Sequence, residues 1–222
     1  MNASDAAQAL QSFTPESVPI TPGRPLAVID VDEVIGLFVQ GFSAWVAARG
    51  YDLRLTSFAL FANLYPAGGE TSVGPERGKD LLDRFFAEGC GEIEPAPGAV
   101  EGLRALADVA QVVILTNAPE AARRLRRAWL ARHAMPYPLI LNGGLKGPPV
   151  RVLAERAGAQ CVFVDDLLPN LQSVAEHAPD VTTFQMVADP VLRTLAPSDP
   201  VRHPRIDDWP ALVPAAVAAL RS

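Results

Sequence analysis

A short apolar run that leads directly into two aspartates constrains this chain more than any other feature. Residues 26–29 read Leu-Ala-Val-Ile, and they stand between Pro25 and the pair Asp30 and Asp32. An unbroken apolar run of this length is typical of a strand buried on both faces inside a parallel sheet. Side chains two residues apart in an extended segment point the same way, so both carboxylates are predicted to converge just beyond the strand. In open α/β sheets, ligands bind at that edge.

The rest of the chain decides how the aspartate pair is interpreted, because alone it fits equally well two acids that cap nearby amides. Four further apolar runs predict strands, at residues 112–115, 138–141, 161–164 and 181–186. Segments of helical periodicity separate these runs, and a last helix is predicted over 209–220. The alternation predicts an α/β fold with a Rossmann-like parallel sheet, right-handed crossovers and helices on both faces.

A long segment without any strand pattern follows the first strand. Residues 37–94 carry helical periodicity and then return to the core through a proline-rich stretch. The sequence therefore predicts a small helical cap domain over 37–94, inserted into a core domain made of 25–36 and 95–222. Residues 1–24 are polar and contain three prolines, which predicts a leader that lies on the surface or is disordered.

Reactive polar residues follow the predicted strands of the core. Besides the first pair they are Thr116, Asn117, Lys146, Asp165 and Asp166. Because parallel strands end at one common edge, we expect these groups to meet despite their separation in sequence. Carboxylates there form a hard oxygen site suited to Mg²⁺, and a hydroxyl, main-chain amides and a lysine form an anion site beside it. One carboxylate can then attack phosphorus while a second transfers the proton.

These residues resemble the motifs of the haloacid dehalogenase-like superfamily, in its branch of aspartate-nucleophile phosphatases with a helical cap. The first motif has the form D-x-D-x-[T/V] and is matched by residues 30–34. A strand that ends in Ser or Thr is matched by 112–116, a lysine ahead of a helix by Lys146, and a strand that ends in paired acids by 162–166. Each motif alone is weak, but four in this order indicate the superfamily.

The resemblance implies catalytic roles. Asp30 would be the nucleophile and Asp32 the general acid and base. Thr116 and the amide of Asn117 would hold the phosphoryl oxygens, and Lys146 would neutralise charge on the nucleophile and the phosphate. The implied activity is Mg²⁺-dependent hydrolysis of a small phosphorylated metabolite through an aspartyl-phosphate intermediate.

The resemblance also implies a metal site. Asp165 and Asp166 would hold Mg²⁺ together with Asp30 and the carbonyl of Asp32. Asp166 is equally suited to capping the helix that follows, and Asn170 to supporting that loop.

Two features separate this chain from parts of the superfamily. Glu33 replaces the glycine that is common after the second aspartate, which would restrict the loop or add a charge near the entrance. Asp32 argues against the dehalogenase branch, which lacks an acid there. Three alternatives stay open: a phosphomutase, a phosphonatase that would use Lys79 in the cap, and a binding protein without activity that retains the site. Arg77 and Lys79 are also candidates to reach an anionic substrate.

Composition narrows the range of partners. The net charge of −6 argues against nucleic acid and anionic membranes. A basic run at 123–127 is predicted to be a solvated helix face. Cys90 and Cys161 form no disulfide framework, and no secretory signal or long apolar stretch is present, so the expected location is the cytoplasm. The oligomeric state stays open.

Overall fold

The computed structural model describes residues 13–222 and contains the predicted five-stranded parallel sheet. In chain order the strands are β1 (Leu26–Ile29), β2 (Tyr51–Leu53), β3 (Leu64–Pro66), β4 (Gln111–Asn117), β5 (Leu139–Asn142), β6 (Cys161–Asp165) and β7 (Thr182–Gln185). The large sheet has the order β5-β4-β1-β6-β7, while β2 and β3 pair separately. The chain thus builds one side of β1 first and then crosses to the other.

The reversal of strand order falls between β1 and β6, next to the first aspartate pair. In this register, Ile29 lies opposite Ile114 of β4 and Val164 of β6. The residues that follow Ile29 and Val164 therefore leave the sheet side by side. A crevice at such a reversal is the usual ligand site of open parallel sheets.

The helices cover both faces of the sheet. They are α1 (Phe38–Ala47), α2 (Pro75–Glu88), α3 (Ala99–Val109), α4 (Arg123–Arg132), α5 (Gly147–Ala157), α6 (Leu168–His177), α7 (Leu192–Leu195) and α8 (Trp209–Arg221). Two short 3₁₀ turns lie at Leu60–Asn63 and Glu120–Ala122. Apolar side chains of α3, α4 and α8 form one core cluster, and those of α5 and α6 form the other.

Strand β1 shows why this fold needs an unbroken apolar run. Ala27 and Ile29 belong to the first core cluster, whereas Leu26 and Val28 belong to the second. All four side chains are fully buried. Alternate residues of a strand point to opposite faces, so a strand covered on both sides has no position left for a polar residue.

The segment predicted as a helical cap contains two helices but also two short strands. Helices α1 and α2 lie within it as expected. Between them, β2 and β3 form an antiparallel ribbon in which Asp52 lies opposite Tyr65. The sequence pattern predicted no strand in this segment, and that prediction was wrong. Each strand is only three residues long, which is too short for an alternating pattern to stand out.

Part of the predicted leader packs onto the core. Residues 1–12 lie outside the described part of the chain. Within 13–24, Val18 is fully buried in the second core cluster, and the guanidinium of Arg156 donates to the carbonyl oxygens of Pro15 and Val18. This segment therefore covers the sheet rather than standing away from it. No helix of the described chain is both long and apolar enough to span a bilayer.

Candidate active site

The predicted site residues meet at the carboxyl edge of the sheet, and Lys146 lies at their centre. The side chain of Lys146 follows β5 and precedes α5, and it is 1% exposed. Its Nζ lies 2.7 Å from Oδ1 of Asp30 and 2.6 Å from Oδ2 of Asp165. Burial opposes the charge on this amine, but Asp165 and Asp30 outweigh it and raise the pKa of Lys146. The lysine therefore stays protonated between two carboxylates.

The two acids at the end of β6 have different surroundings. Oδ1 of Asp165 accepts hydrogen bonds from the backbone N–H of Leu167 and from Nδ2 of Asn170, both at 2.9 Å. With Lys146 on its other oxygen, Asp165 is occupied on both sides. Asp166, in contrast, lines the cavity described below. Asn170 thus supports the loop that follows β6, as predicted.

The carboxylates form a group that fits a hard divalent cation. One oxygen from each of Asp30, Asp165 and Asp166 lies within 4.8 Å of the others, and all three residues are buried. Four site carboxylates, with Asp32 included, face the two buried cations Lys146 and Arg126. If all are ionised, two negative charges remain without compensation. Oxygen ligands with this excess charge suit Mg²⁺.

The same excess of acids shifts the pKa values of the site. Burial raises the pKa of Asp30 to about 7, with Asp165 adding to the shift and Lys146 opposing it. Burial and the neighbouring carboxylates of Asp165 and Asp30 raise the pKa of Asp166 well above its ordinary value. Without a further cation, the folded protein therefore favours holding protons on this cluster.

Thr116 and Asn117 end β4 beside these acids, as predicted. The hydroxyl of Thr116 is fully buried and makes no hydrogen bond to any residue in the described part of the chain. A buried hydroxyl without a partner is unfavourable, so it is available to a ligand oxygen, although Thr116 is not among the residues that line the cavity. Asn117 lines the cavity. Its side chain donates to the carbonyl of Gly144 at 2.9 Å and accepts from Asn142 at 2.8 Å, which ties the two loops together.

The partner of Asp32 is Arg126, a residue whose environment the sequence pattern predicted wrongly. Arg126 was predicted to lie on a solvated face, but its side chain is fully buried and its Nη2 donates to Oδ1 of Asp32. Arg126 shares the buried face of α4 with Trp129 and Leu130, three and four residues further on. That helical spacing was the signal that could have identified it. The other four residues of the run are half-buried or exposed.

Glu33 is part of the framework of the site rather than a free charge at its entrance. Its Oε1 accepts from the backbone N–H of Val39 at 2.8 Å, and its Oε2 accepts from that of Asp189 at 2.9 Å. The side chain thereby joins the loop after β1 to the first turn of α1 and to the loop that precedes α7. Burial raises the pKa of this carboxyl to about 7.

A cavity of about 300 Å³ connects this cluster to the inserted segment. On the core side it is lined by Asp30, Asp32, Lys146 and Asp166. Phe38 and Phe86 belong to its opposite wall. The cluster therefore faces a cleft of the size of a small ligand.

Two cap residues proposed as substrate contacts lie elsewhere. Arg77 pairs with Asp80 at 2.6 Å and donates to the hydroxyl of Tyr51. Lys79 pairs with Asp83 on the outer face of α2, and its side chain is 68% exposed. Neither lines the cavity. The candidate cap lysine of a phosphonatase is thus directed away from the site.

Fold and site together define an α/β protein in which a lysine-bridged cluster of acids lies at the strand-order reversal of a parallel sheet, beneath an inserted cap. No model of a protein family and no curated protein matches the sequence. Solved structures do match. A haloacid dehalogenase-like hydrolase from Burkholderia xenovorans superposes with a TM-score of 0.52 at 18% identity, over 89% of this chain and 99% of the other.

Two further matches illustrate the range of proteins with this fold. The L-2-haloacid dehalogenase PA0810 has a TM-score of 0.55 at 13% identity, over 87% of this chain and 100% of its own. The HAD-hydrolase YfnB from Bacillus subtilis, described as bound to magnesium, has a TM-score of 0.52 at 14% identity, over 88% and 99%. The chain therefore has the haloacid dehalogenase-like fold that its four motifs predicted. At these identities the likeness concerns the fold, and the substrate must be argued from the site.

Proposed function

We propose that this protein is a Mg²⁺-dependent phosphatase that hydrolyses a small phosphate monoester through an aspartyl-phosphate on Asp30. The observation that carries the proposal is the position of two carboxylates, Asp30 and Asp32, at one end of a cavity beside Lys146. The unpartnered hydroxyl of Thr116 lies at the end of the neighbouring strand. A nucleophile, a second acid and donors for phosphoryl oxygens are thus present in one place.

The residues act in two steps. The Asp30 carboxylate attacks phosphorus and forms a P–O bond while the bond to the leaving oxygen breaks, and Asp32 donates a proton to that oxygen. Asp32 then accepts a proton from a water molecule that attacks the phosphorus of the aspartyl-phosphate, which releases phosphate and restores Asp30. Lys146 and the Thr116 hydroxyl hold the phosphoryl oxygens as charge shifts among them.

The metal would be held by Asp30, Asp166 and the carbonyl of Asp32, with Asp165 beside them. When bound, Mg²⁺ supplies positive charge that neutralises phosphoryl oxygens and keeps the carboxylates ionised. The protein residues bring the phosphate next to Asp30 and orient it for attack.

Asp32 favours a phosphatase over a dehalogenase. An alkoxide leaving group needs a proton, whereas a halide leaves without one. In this chain a second carboxylate lines the cavity, and the buried Arg126 holds it in position. Arg126 itself does not line the cavity, and neither Arg77 nor Lys79 offers a charge to a substrate carboxylate.

The test compares Asp30→Asn with wild type in a phosphate-release assay on p-nitrophenyl phosphate, with Mg²⁺ and with a chelator. We expect turnover by wild type only with the metal, and reduction to background in the variant. Asp108→Asn, an exposed acid on α3, is the matched control and should keep full activity. Undiminished turnover by Asp30→Asn would reject the assignment. Halide release from 2-chloropropionate without any phosphate release would instead identify a dehalogenase.

A further inference from the structure

The wall of the cavity that faces the cluster of acids is formed mainly by apolar side chains. Apolar side chains of the inserted segment line it, and the larger ones are Phe38, Leu55, Phe58, Leu60, Leu82 and Phe86. Phe38 belongs to α1 and Phe86 to α2, and the centroids of their rings are 5.6 Å apart. In a bound ester whose phosphorus faces Asp30, the leaving group would lie against this wall.

The polar groups of the same wall are already engaged with each other. Asn63 is 1% exposed, and its Nδ2 donates to the carbonyl of Ser57 at 2.6 Å. Its Oδ1 accepts from the backbone N–H of Thr56 at 3.1 Å and from the Ser57 hydroxyl at 3.5 Å. Asn63 therefore holds the loop from 56 to 63 together, which leaves little hydrogen-bonding capacity for a ligand.

No positive charge of the inserted segment reaches the cavity. All five cations between residues 37 and 94 pair with acids elsewhere: Arg49, Arg54, Arg77, Lys79 and Arg84. Within the described chain, the one cation that lines the cavity is Lys146, and two carboxylates already hold it. A second anionic group on a substrate would thus be buried without a partner.

These observations indicate which phosphate esters fit the cavity. A carboxylate or second phosphate would lose its hydration without compensation, and the hydroxyls of a sugar would lack partners. An apolar group would instead be transferred from water to a matching surface. We propose that the leaving group of the natural substrate is an uncharged, apolar alcohol or phenol that fits a cavity of about 300 Å³. This inference rests on the proposed phosphatase activity.

The test compares three esters of similar size with the Mg²⁺-loaded wild-type protein. Benzyl phosphate and 4-carboxybenzyl phosphate share one leaving-group frame and differ by a remote charge, and glucose 6-phosphate adds hydroxyls. We expect kcat/KM for benzyl phosphate to exceed the other two by about tenfold or more. Equal or better turnover of the charged or sugar ester would overturn the inference and leave the phosphatase proposal standing. No turnover of any ester would overturn both.

A variant pair localises the effect to this wall. Leu82→Lys places a cation on the cavity side of α2, and it should raise the relative rate on 4-carboxybenzyl phosphate. Ala87→Lys adds the same side chain at an exposed position of the same helix and should leave the preference unchanged. A preference that stays the same in a folded Leu82→Lys protein would contradict the assigned orientation of the leaving group. If that variant does not fold, the comparison of esters on wild type still decides.

Discussion

Glu33 has an unfavourable backbone conformation, and hydrogen bonds to its side chain offset the cost. Its φ is +60°, in the left-handed region that favours glycine. For a residue with a side chain this conformation costs about 1–2 kcal/mol. The carboxylate offsets that cost by accepting two backbone N–H groups, and the carbonyl of Glu33 accepts a third from Ala188 at 2.7 Å. The departure from glycine thus strengthens the loop that carries Asp30 and Asp32.

The contact between Arg126 and Asp32 can be tested by substitution. Its guanidinium holds Asp32, so Arg126→Met should leave that acid without its buried partner and misplace it. Proton donation matters most for poor leaving groups. We therefore expect kcat on an alkyl phosphate to fall by about 100-fold or more, but to fall much less on p-nitrophenyl phosphate, whose leaving group needs no proton. Steady-state kinetics on the two esters measure the difference.

The control for this experiment lies on the same helix. Arg124 is exposed, and Arg124→Met should change neither rate. Arg126→Lys keeps a positive charge and should recover part of the lost activity on the alkyl ester. An equal loss on both esters in Arg126→Met would show that the residue supports the fold of the site in general and does not act through Asp32.

Sequence patterns predicted the acids of the site but not the partner of Asp32. The acids follow buried strands directly, so the geometry of a parallel sheet brings them together whatever the loops do. Arg126 stands in a run of arginines, and the charge of that run predicted that its side chains face solvent. Burial of an arginine depends on an acid 94 positions earlier in the chain, and no local pattern reports such a pairing.

At the scale of elements, a close contact between α5 and α6 positions Lys146. A Cβ added to Gly147 would lie 2.3 Å from the carbonyl oxygen of Ser173, which is too close for any side chain. The backbone N–H of Gly147 also donates to the Ser173 hydroxyl at 3.2 Å. Because residue 147 has no side chain, α5 can begin in close contact with α6, immediately after Lys146.

Gly147→Ala should consequently reduce both stability and activity. The added methyl group must push α5 away from α6, which we expect to cost about 1–3 kcal/mol in the free energy of unfolding. The same shift displaces Lys146 from Asp30 and Asp165 and lowers kcat. Urea denaturation and the phosphate-release assay measure the two effects. Gly143→Ala is the matched control, because a Cβ there meets no atom within 4 Å. Loss of activity in that variant as well would contradict the argument.

The elements that the sequence predicted correctly are those with strong periodicity or an unbroken apolar run. Helix α2 runs from Pro75 to Glu88, within the segment whose periodicity predicted helices. The ribbon of β2 and β3 escaped prediction, since short strands in an insert are held by their tertiary partners rather than by local preference. Which side chains of the cap face the cavity was likewise set by packing between α1, α2 and the ribbon.

At the scale of the whole molecule, the fold concentrates acids in its interior, and this lowers its stability without a cation. The acids lie at the reversal of strand order, where β1 and β6 end together. Burial in that crevice raises the pKa values of Asp30, Glu33 and Asp166. Protonation or a divalent cation can each relieve the excess charge. The stability of the protein is therefore linked to both pH and Mg²⁺.

The linkage has a definite sign. The pKa of Asp30 rises from its ordinary value of 3.8 to about 7 on folding, so between these values the folded state binds more protons than the unfolded chain. In the presence of a chelator, the free energy of unfolding should fall as pH rises through this window, by up to about 1.4 kcal/mol per pH unit for each such group, and level off above pH 7. Urea denaturation at pH 5, 6, 7 and 8 measures the slope.

Asp30→Asn removes one of the titrating groups and should flatten the dependence of stability on pH. Mg²⁺ binds the ionised acids, so it should restore stability at pH 8 far more than at pH 5. An Asp30→Asn protein with the same pH slope as wild type, both measured with a chelator, would contradict the raised pKa of Asp30.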